Sequence, residues 1–119
     1  MLNGIVVAMG GAIGAVLRYL IGLLPLNPQN GFPLKTFCIN VIGAFVIGLV
    51  AALSARASLN PRFTLFLKVG ICGGFTTFSS FALETETLLG KGNQTIALLY
   101  VLSSLVCGVL AVAVAESLV

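Results

Sequence analysis

Four long apolar stretches joined by three short connections leave this chain few folds to choose from. They cover about residues 3–24, 34–54, 63–89 and 95–118. The first stops at Pro25, and Pro28, Asn30, Gly31 and Pro33 make the loop that follows. The second gives way to Arg56, Ser58, Asn60 and Pro61. A helix that crosses a bilayer needs about 20 apolar residues, and each stretch supplies them. Short connections make neighbouring helices antiparallel. Only 8% of the 119 residues are charged, against about 25% in soluble domains, so lipid must be part of the solvent. The expectation is an all-α, multi-pass membrane protein with one four-helix domain over residues 1–119. No basic segment precedes the first stretch, so it reads as a membrane helix rather than a cleaved signal.

Several chemistries drop out at once. The chain has no His and no Asp, which removes histidine-based catalysis and the usual metal-hydrolase centres; it is not read as an enzyme. Cys38, Cys72 and Cys107 lack metal-ligand spacing and fall in apolar stretches, where a thiol behaves as a small hydrophobe. Six basic and three acidic residues give a net charge of +3, too little for a nucleic-acid surface. Orientation normally follows an excess of Lys and Arg on cytoplasmic loops. With four spans, Arg56, Arg62 and Lys68 lie towards one side, and Arg18, Lys35 and Lys91 towards the other. This three-to-three balance selects neither orientation. It leaves open insertion both ways as an antiparallel homodimer, or one orientation fixed by other cues.

The third stretch contains Gly73-Gly74-Phe75-Thr76-Thr77-Phe78-Ser79-Ser80-Phe81. Paired glycines, clustered hydroxyls and three phenylalanines suit a plain lipid-facing helix poorly. Irregular backbone at membrane depth is tolerated only where protein buries it or a watery cavity meets it. A helix broken near mid-membrane is expected here, at a place where an ion meets carbonyls, hydroxyls and ring edges. Gly10, Gly14, Arg18 and Gly22 share one face of the first helix, and Asn40, Gly43, Ala44 and Gly48 one face of the second. Tyr100, Ser104 and Gly108, with Ser103 beside them, form a stripe on the fourth. Small residues at such spacing bring helices close. Asn40 is either glue between helices or a group facing a polar cavity. Arg18 is either an interfacial anchor or the cation of an anion-gathering vestibule. Glu84 and Glu86 are either solvated near the headgroups or placed for an ion role, with solvation the plainer reading.

Together, Gly14-Ala15-Val16-Leu17-Arg18-Tyr19, Asn40-Val41-Ile42-Gly43-Ala44-Phe45 and the run Gly73–Phe81 resemble the Fluc (CrcB) fluoride channels of microbes. The resemblance covers the whole chain in the right order. It implies a dual-topology homodimer in the bacterial plasma or inner membrane, with two protomers inserted antiparallel and two separate fluoride pores. It implies a structural sodium ion at the dimer centre, held by backbone carbonyls of Gly73 and Thr76. By motif, Phe78 and Phe81 are the phenylalanines along each pore, Asn40 the pore asparagine and Arg18 the vestibule arginine. Tyr100 and Ser104 belong to a polar track, with Thr77, Ser79 and Ser80 nearby. Ser80 stands where the family often has threonine, which keeps the hydroxyl. Gly108 offers no side-chain donor where the track would continue.

Elementary chemistry agrees. Fluoride is small and holds water tightly, so a pore must replace its hydration with donors. Hydroxyls and an amide N–H supply some, and aromatic edges carry the positive part of the ring quadrupole. A row of weak sites also lets the ion leave. Before the resemblance is weighed, the phenylalanines read as ordinary packing, and Phe75 keeps that reading. Two other classes stay in view. A small dual-topology multidrug exporter needs a membrane-embedded acid, and the first two spans contain none. A non-transporting scaffold explains the glycine stripes but not the polar, aromatic break.

Overall fold

The computed structural model describes residues Met1–Val119 and is wholly helical. Helix α1 spans Leu2–Gly22 and α2 spans Leu34–Ala57. The third span, Pro61–Gly90, is 30 residues long. It is built from α3 (Pro61–Leu65), a π-helical stretch Phe66–Cys72, α4 (Gly73–Phe75) and α5 (Phe78–Gly90). Helix α6 spans Gln94–Ser117. Four of these units are long and apolar enough to cross a membrane, as the sequence requires, and the third is interrupted at Thr76 and Thr77.

The boundaries have local causes. Helix α1 ends at Gly22, two residues short of expectation, because Pro25 biases the preceding backbone away from helix. In the loop, Asn27 Oδ1 accepts from the Lys35 N–H at 3.0 Å, and Asn30 Oδ1 from the Phe32 N–H at 2.9 Å. Helix α2 outlasts the expected residue 54 and stops where Ser58 turns left-handed, with φ 52°. The third span starts at Pro61 rather than residue 63: Pro61 opens the helix, and Asn60 Oδ1 accepts from the Arg62 N–H at 2.8 Å. Side-chain capping of this kind meets donors that a helix start leaves without partners.

Packing is pairwise. Helix α1 lies along the first half of the third span, and α2 along α6. Glycines set both approaches. A Cβ at Gly10 would fall 2.9 Å from the Cα of Gly70, and one at Gly14 would collide with the Ile71 carbonyl. On α2, a Cβ at Gly48 would sit 2.9 Å from the Val112 carbonyl of α6. The expected stripes on α1 and α2 therefore pack as close helix contacts through these residues, whereas Gly22 and Gly108 face open space. Only 14 of 119 residues are buried, so lipid or another chain must cover most of the apolar surface. The small aromatic core, Leu88, Ala97 and Tyr100 with Phe32, Phe37, Phe81 and Ile96, sits beside the lower half of the broken span.

Candidate functional site

The break is a sequence effect resolved by side chains. Thr76 (φ −80°, ψ 157°) and Thr77 (φ −148°, ψ 118°) are extended, so helical hydrogen bonding cannot cross them. Each orphaned group then needs a partner. Thr76 sends its N–H and its Oγ1 to the Cys72 carbonyl, at 3.0 and 2.9 Å. Thr77 Oγ1 caps α5 by accepting the Ser80 N–H at 3.1 Å. Asn40, from α2, closes a two-bond clamp on Thr77. Its Oδ1 accepts the Thr77 N–H at 2.8 Å and its Nδ2 donates to the Thr77 carbonyl at 3.1 Å. Arg18 Nε donates to the Gly74 carbonyl at 3.3 Å. No backbone N–H donates to the carbonyl of Thr76.

Two cavities meet at this break. A groove of about 280 Å³ is lined by Asn40, Thr76, Thr77, Phe78, Phe81, Ser104 and Leu105. The Phe78 and Phe81 rings stand 5.9 Å apart at 48°, and Phe78 is 79% exposed. Ser104 Oγ is buried with no hydrogen-bond partner. An amide carries two N–H donors, so Asn40 keeps one for the groove after serving Thr77. The second cavity, about 480 Å³, lies on the loop side and holds Arg18, Lys35, Thr36, Thr77, Ser80 and Glu84 among its lining. Thr77 lines both.

The structure thus gathers Asn40, Phe78, Phe81, Ser104, Thr76 and Thr77 around one space, and Arg18 and Ser80 around its neighbour. Arg18 reaches the break itself instead of serving only as an interfacial anchor. Ser79 is exposed and lines neither cavity; its Oγ lies 3.3 Å from Thr77 Oγ1. Gly73 is exposed and lines neither cavity. Tyr100 is wholly buried, and its hydroxyl is spent on Glu84 at 2.9 Å. Its ring packs 5.0 Å from that of Phe81.

Three residues make contacts at the site that the sequence reading did not give them. Glu84, half-buried and lining the loop-side cavity, also accepts from Thr36 Oγ1 and Tyr100 Oη through its two oxygens. The signal was its position three residues after Phe81, which places both on one face of a helix. Thr36 lies one turn before Asn40 on α2 by the same rule. Lys35, counted only for its charge, sends Nζ to the Gly22 carbonyl at 2.9 Å and so meets the end of α1.

A family model described as "CrcB-like protein, Camphor Resistance (CrcB)" matches residues 5–115. Among curated relatives, a protein of Agrobacterium fabrum is 45% identical over 116 residues, covering 94% of this chain and 91% of its own. One from Thermus thermophilus is 47% identical, covering 87% and 84%, and one from Helicobacter acinonychis is 44% identical, covering 90% and 87%. All three are named "Fluoride-specific ion channel FluC". With nearly every residue matched and four spans in the expected order, the chain belongs to the CrcB-like family of multi-pass membrane proteins.

Proposed function

We propose that this chain is a passive, fluoride-selective channel of the bacterial membrane, and not an enzyme, that lets cytoplasmic fluoride out. The observation that carries the reading is the groove at the break. It presents an amide N–H, an unpartnered hydroxyl and two aromatic rings in one space, and it abuts a cavity containing two cations. An anion collected near Arg18 and Lys35 passes Thr77 and Ser80, then trades water for Asn40 Nδ2, Ser104 Oγ and the edges of Phe78 and Phe81. Ring edges attract an anion without acting as bases, and weak successive contacts permit release. In acidic surroundings HF crosses lipid and dissociates inside, and the trapped anion leaves down its electrochemical gradient.

The working unit in this reading is an antiparallel homodimer with two pores. Phe78 is too exposed to form a closed pathway in one protomer, so a second copy supplies the missing wall. The balanced charges permit insertion in both orientations. A two-fold axis gives every carbonyl a mate. The Gly73 and Thr76 carbonyls flank the break, the latter without a backbone N–H donor; such oxygens suit a hard cation, and two from each copy would hold a structural sodium ion. When bound, that ion offsets the exposed dipoles of the broken helix.

Efflux from reconstituted liposomes, read with a fluoride electrode, tests the reading. A channel passes fluoride without a coupling gradient and excludes chloride. A multidrug exporter requires a cation gradient, and a scaffold passes neither ion.

A further inference from the structure

Glu84 has no task in the pathway just described, yet it is the most heavily committed acidic group in the chain. Glu86 and Glu116 are exposed, whereas Glu84 is half-buried. It lines the cavity that holds Arg18 and Lys35. Those cations nevertheless spend hydrogen bonds on the carbonyls of Gly74 and Gly22. The carboxylate bonds to two hydroxyls instead, Thr36 Oγ1 at 2.8 Å and Tyr100 Oη at 2.9 Å. A carboxylate only accepts, so both hydroxyl protons point at it. Thr36 belongs to α2, Glu84 to α5 and Tyr100 to α6. One side chain therefore ties three helices together at the edge of the site.

The tie reaches the groove through rings. Tyr100 is wholly buried, and its ring centroid is 5.0 Å from that of Phe81 at 57°. Phe81 in turn stands 5.9 Å from Phe78. A phenylalanine edge serves an anion only when the ring is turned correctly, and a wall that rocks would let it turn away. The tyrosine can rock unless its far end is held. We infer that Glu84 is a positioning residue: by holding the Tyr100 hydroxyl it fixes the attitude of the Phe81 ring and so sets fluoride throughput and rejection of chloride. Glu84 does not touch the ion. This inference rests on the channel reading above.

Glu84→Gln and Tyr100→Phe, alone and together, decide the matter in liposomes, with dimer assembly checked by gel filtration. Each single variant lowers fluoride efflux about tenfold, the scale set by losing a hydrogen bond to a charged group. Each also lowers the fluoride-to-chloride ratio, which a merely structural loss of active protein would leave unchanged. The double variant is no worse than the more impaired single, because both changes act on the one Tyr100–Glu84 bond: Phe removes the donor, and Gln leaves only a neutral acceptor. Thr36→Ser, which keeps a hydroxyl, behaves as the parent. A wild-type ratio in either single, or effects that multiply in the double, overturns the inference.

A second readout needs no ion flux. The chain has two tyrosines and no tryptophan, so in a Tyr19→Phe background all tyrosine emission comes from Tyr100. A phenol donating to a carboxylate is quenched, and Glu84→Gln raises its emission. Unchanged emission rejects the strut. A parent protein that carries no fluoride would instead reject the channel reading, while the emission comparison still decides whether the bond exists.

Discussion

Replacing Asn40 by Asp exchanges the amide NH2 for a carboxylate oxygen and separates two roles. In the parent, the amide accepts the Thr77 N–H at 2.8 Å and donates to the Thr77 carbonyl at 3.1 Å. Asp keeps the acceptor and loses the donor, so a carboxylate oxygen faces the Thr77 carbonyl with no proton between them. One hydrogen bond is worth about 1 kcal/mol net, and a stranded partner raises the loss to about 1–3 kcal/mol. The same carboxylate stands in the lining of the groove. A unit charge roughly 5 Å from a passing anion, at an effective dielectric constant of about 20, raises the anion's energy by about 3 kcal/mol. That corresponds to about a hundredfold in rate. Asn40→Ala supplies the contrast. It loses both bonds, about 2–4 kcal/mol of stability, but introduces no charge, so its efflux falls much less than that of the Asp variant. Thermal unfolding in detergent measures the first quantity and fluoride-electrode efflux the second. An Asp variant that melts and conducts as the parent does would show that Asn40 neither clamps the break nor faces the ion.

Three further outcomes are expected. Phe78→Ile or Phe81→Ile lowers fluoride efflux while the dimer still assembles, as gel filtration reports; unchanged efflux in both removes the ring-edge mechanism. Ser104→Ala removes a buried hydroxyl that has no partner, so its melting temperature holds or rises, a stabilisation of up to about 1 kcal/mol, while its efflux drops; a drop in stability with intact efflux would reverse the assignment. Gly14→Ala forces a methyl into the Ile71 carbonyl and costs about 1–3 kcal/mol by overpacking, whereas Gly108→Ala, with nothing within 4 Å, is tolerated; equal melting temperatures for the two would contradict the helix contact.

How far the sequence could be read varies with the kind of force involved. Helix number and order were legible because lipid demands internally bonded backbone, which writes itself as long apolar stretches. The break was legible at Gly73–Phe81 because no plain membrane helix tolerates that cluster. Asn40 could be placed at a polar cavity, but its clamp on Thr77 could not, since Thr77 is 37 positions away. The partners of Glu84 were hidden for the same reason. Near a span's end an acid looks solvated until Thr36 and Tyr100 arrive from two other helices. Tyr100 shows the limit differently: motif placed it along the track, while its burial depends on how α6 leans on Phe32 and Phe81.

The π-helical stretch Phe66–Cys72 has a consequence for how this protein can tolerate length changes. Its wider turns let Gly70 meet Gly10 while Gly74 meets Gly11, and they fix the angle at which everything after Cys72 emerges. Each residue of an α-helix turns the chain by about 100°. A π turn already holds one residue more than an α turn. One further residue between Phe66 and Cys72 would therefore swing the threonines and Phe78 to a different side of the bundle, although no residue of the groove had been altered, whereas removing one can be absorbed by relaxation to α-helix. Single-residue insertions should be ruinous in this segment, single deletions far less so, and both mild in the loop from Pro25 to Pro33, a contrast that a systematic length scan would make visible.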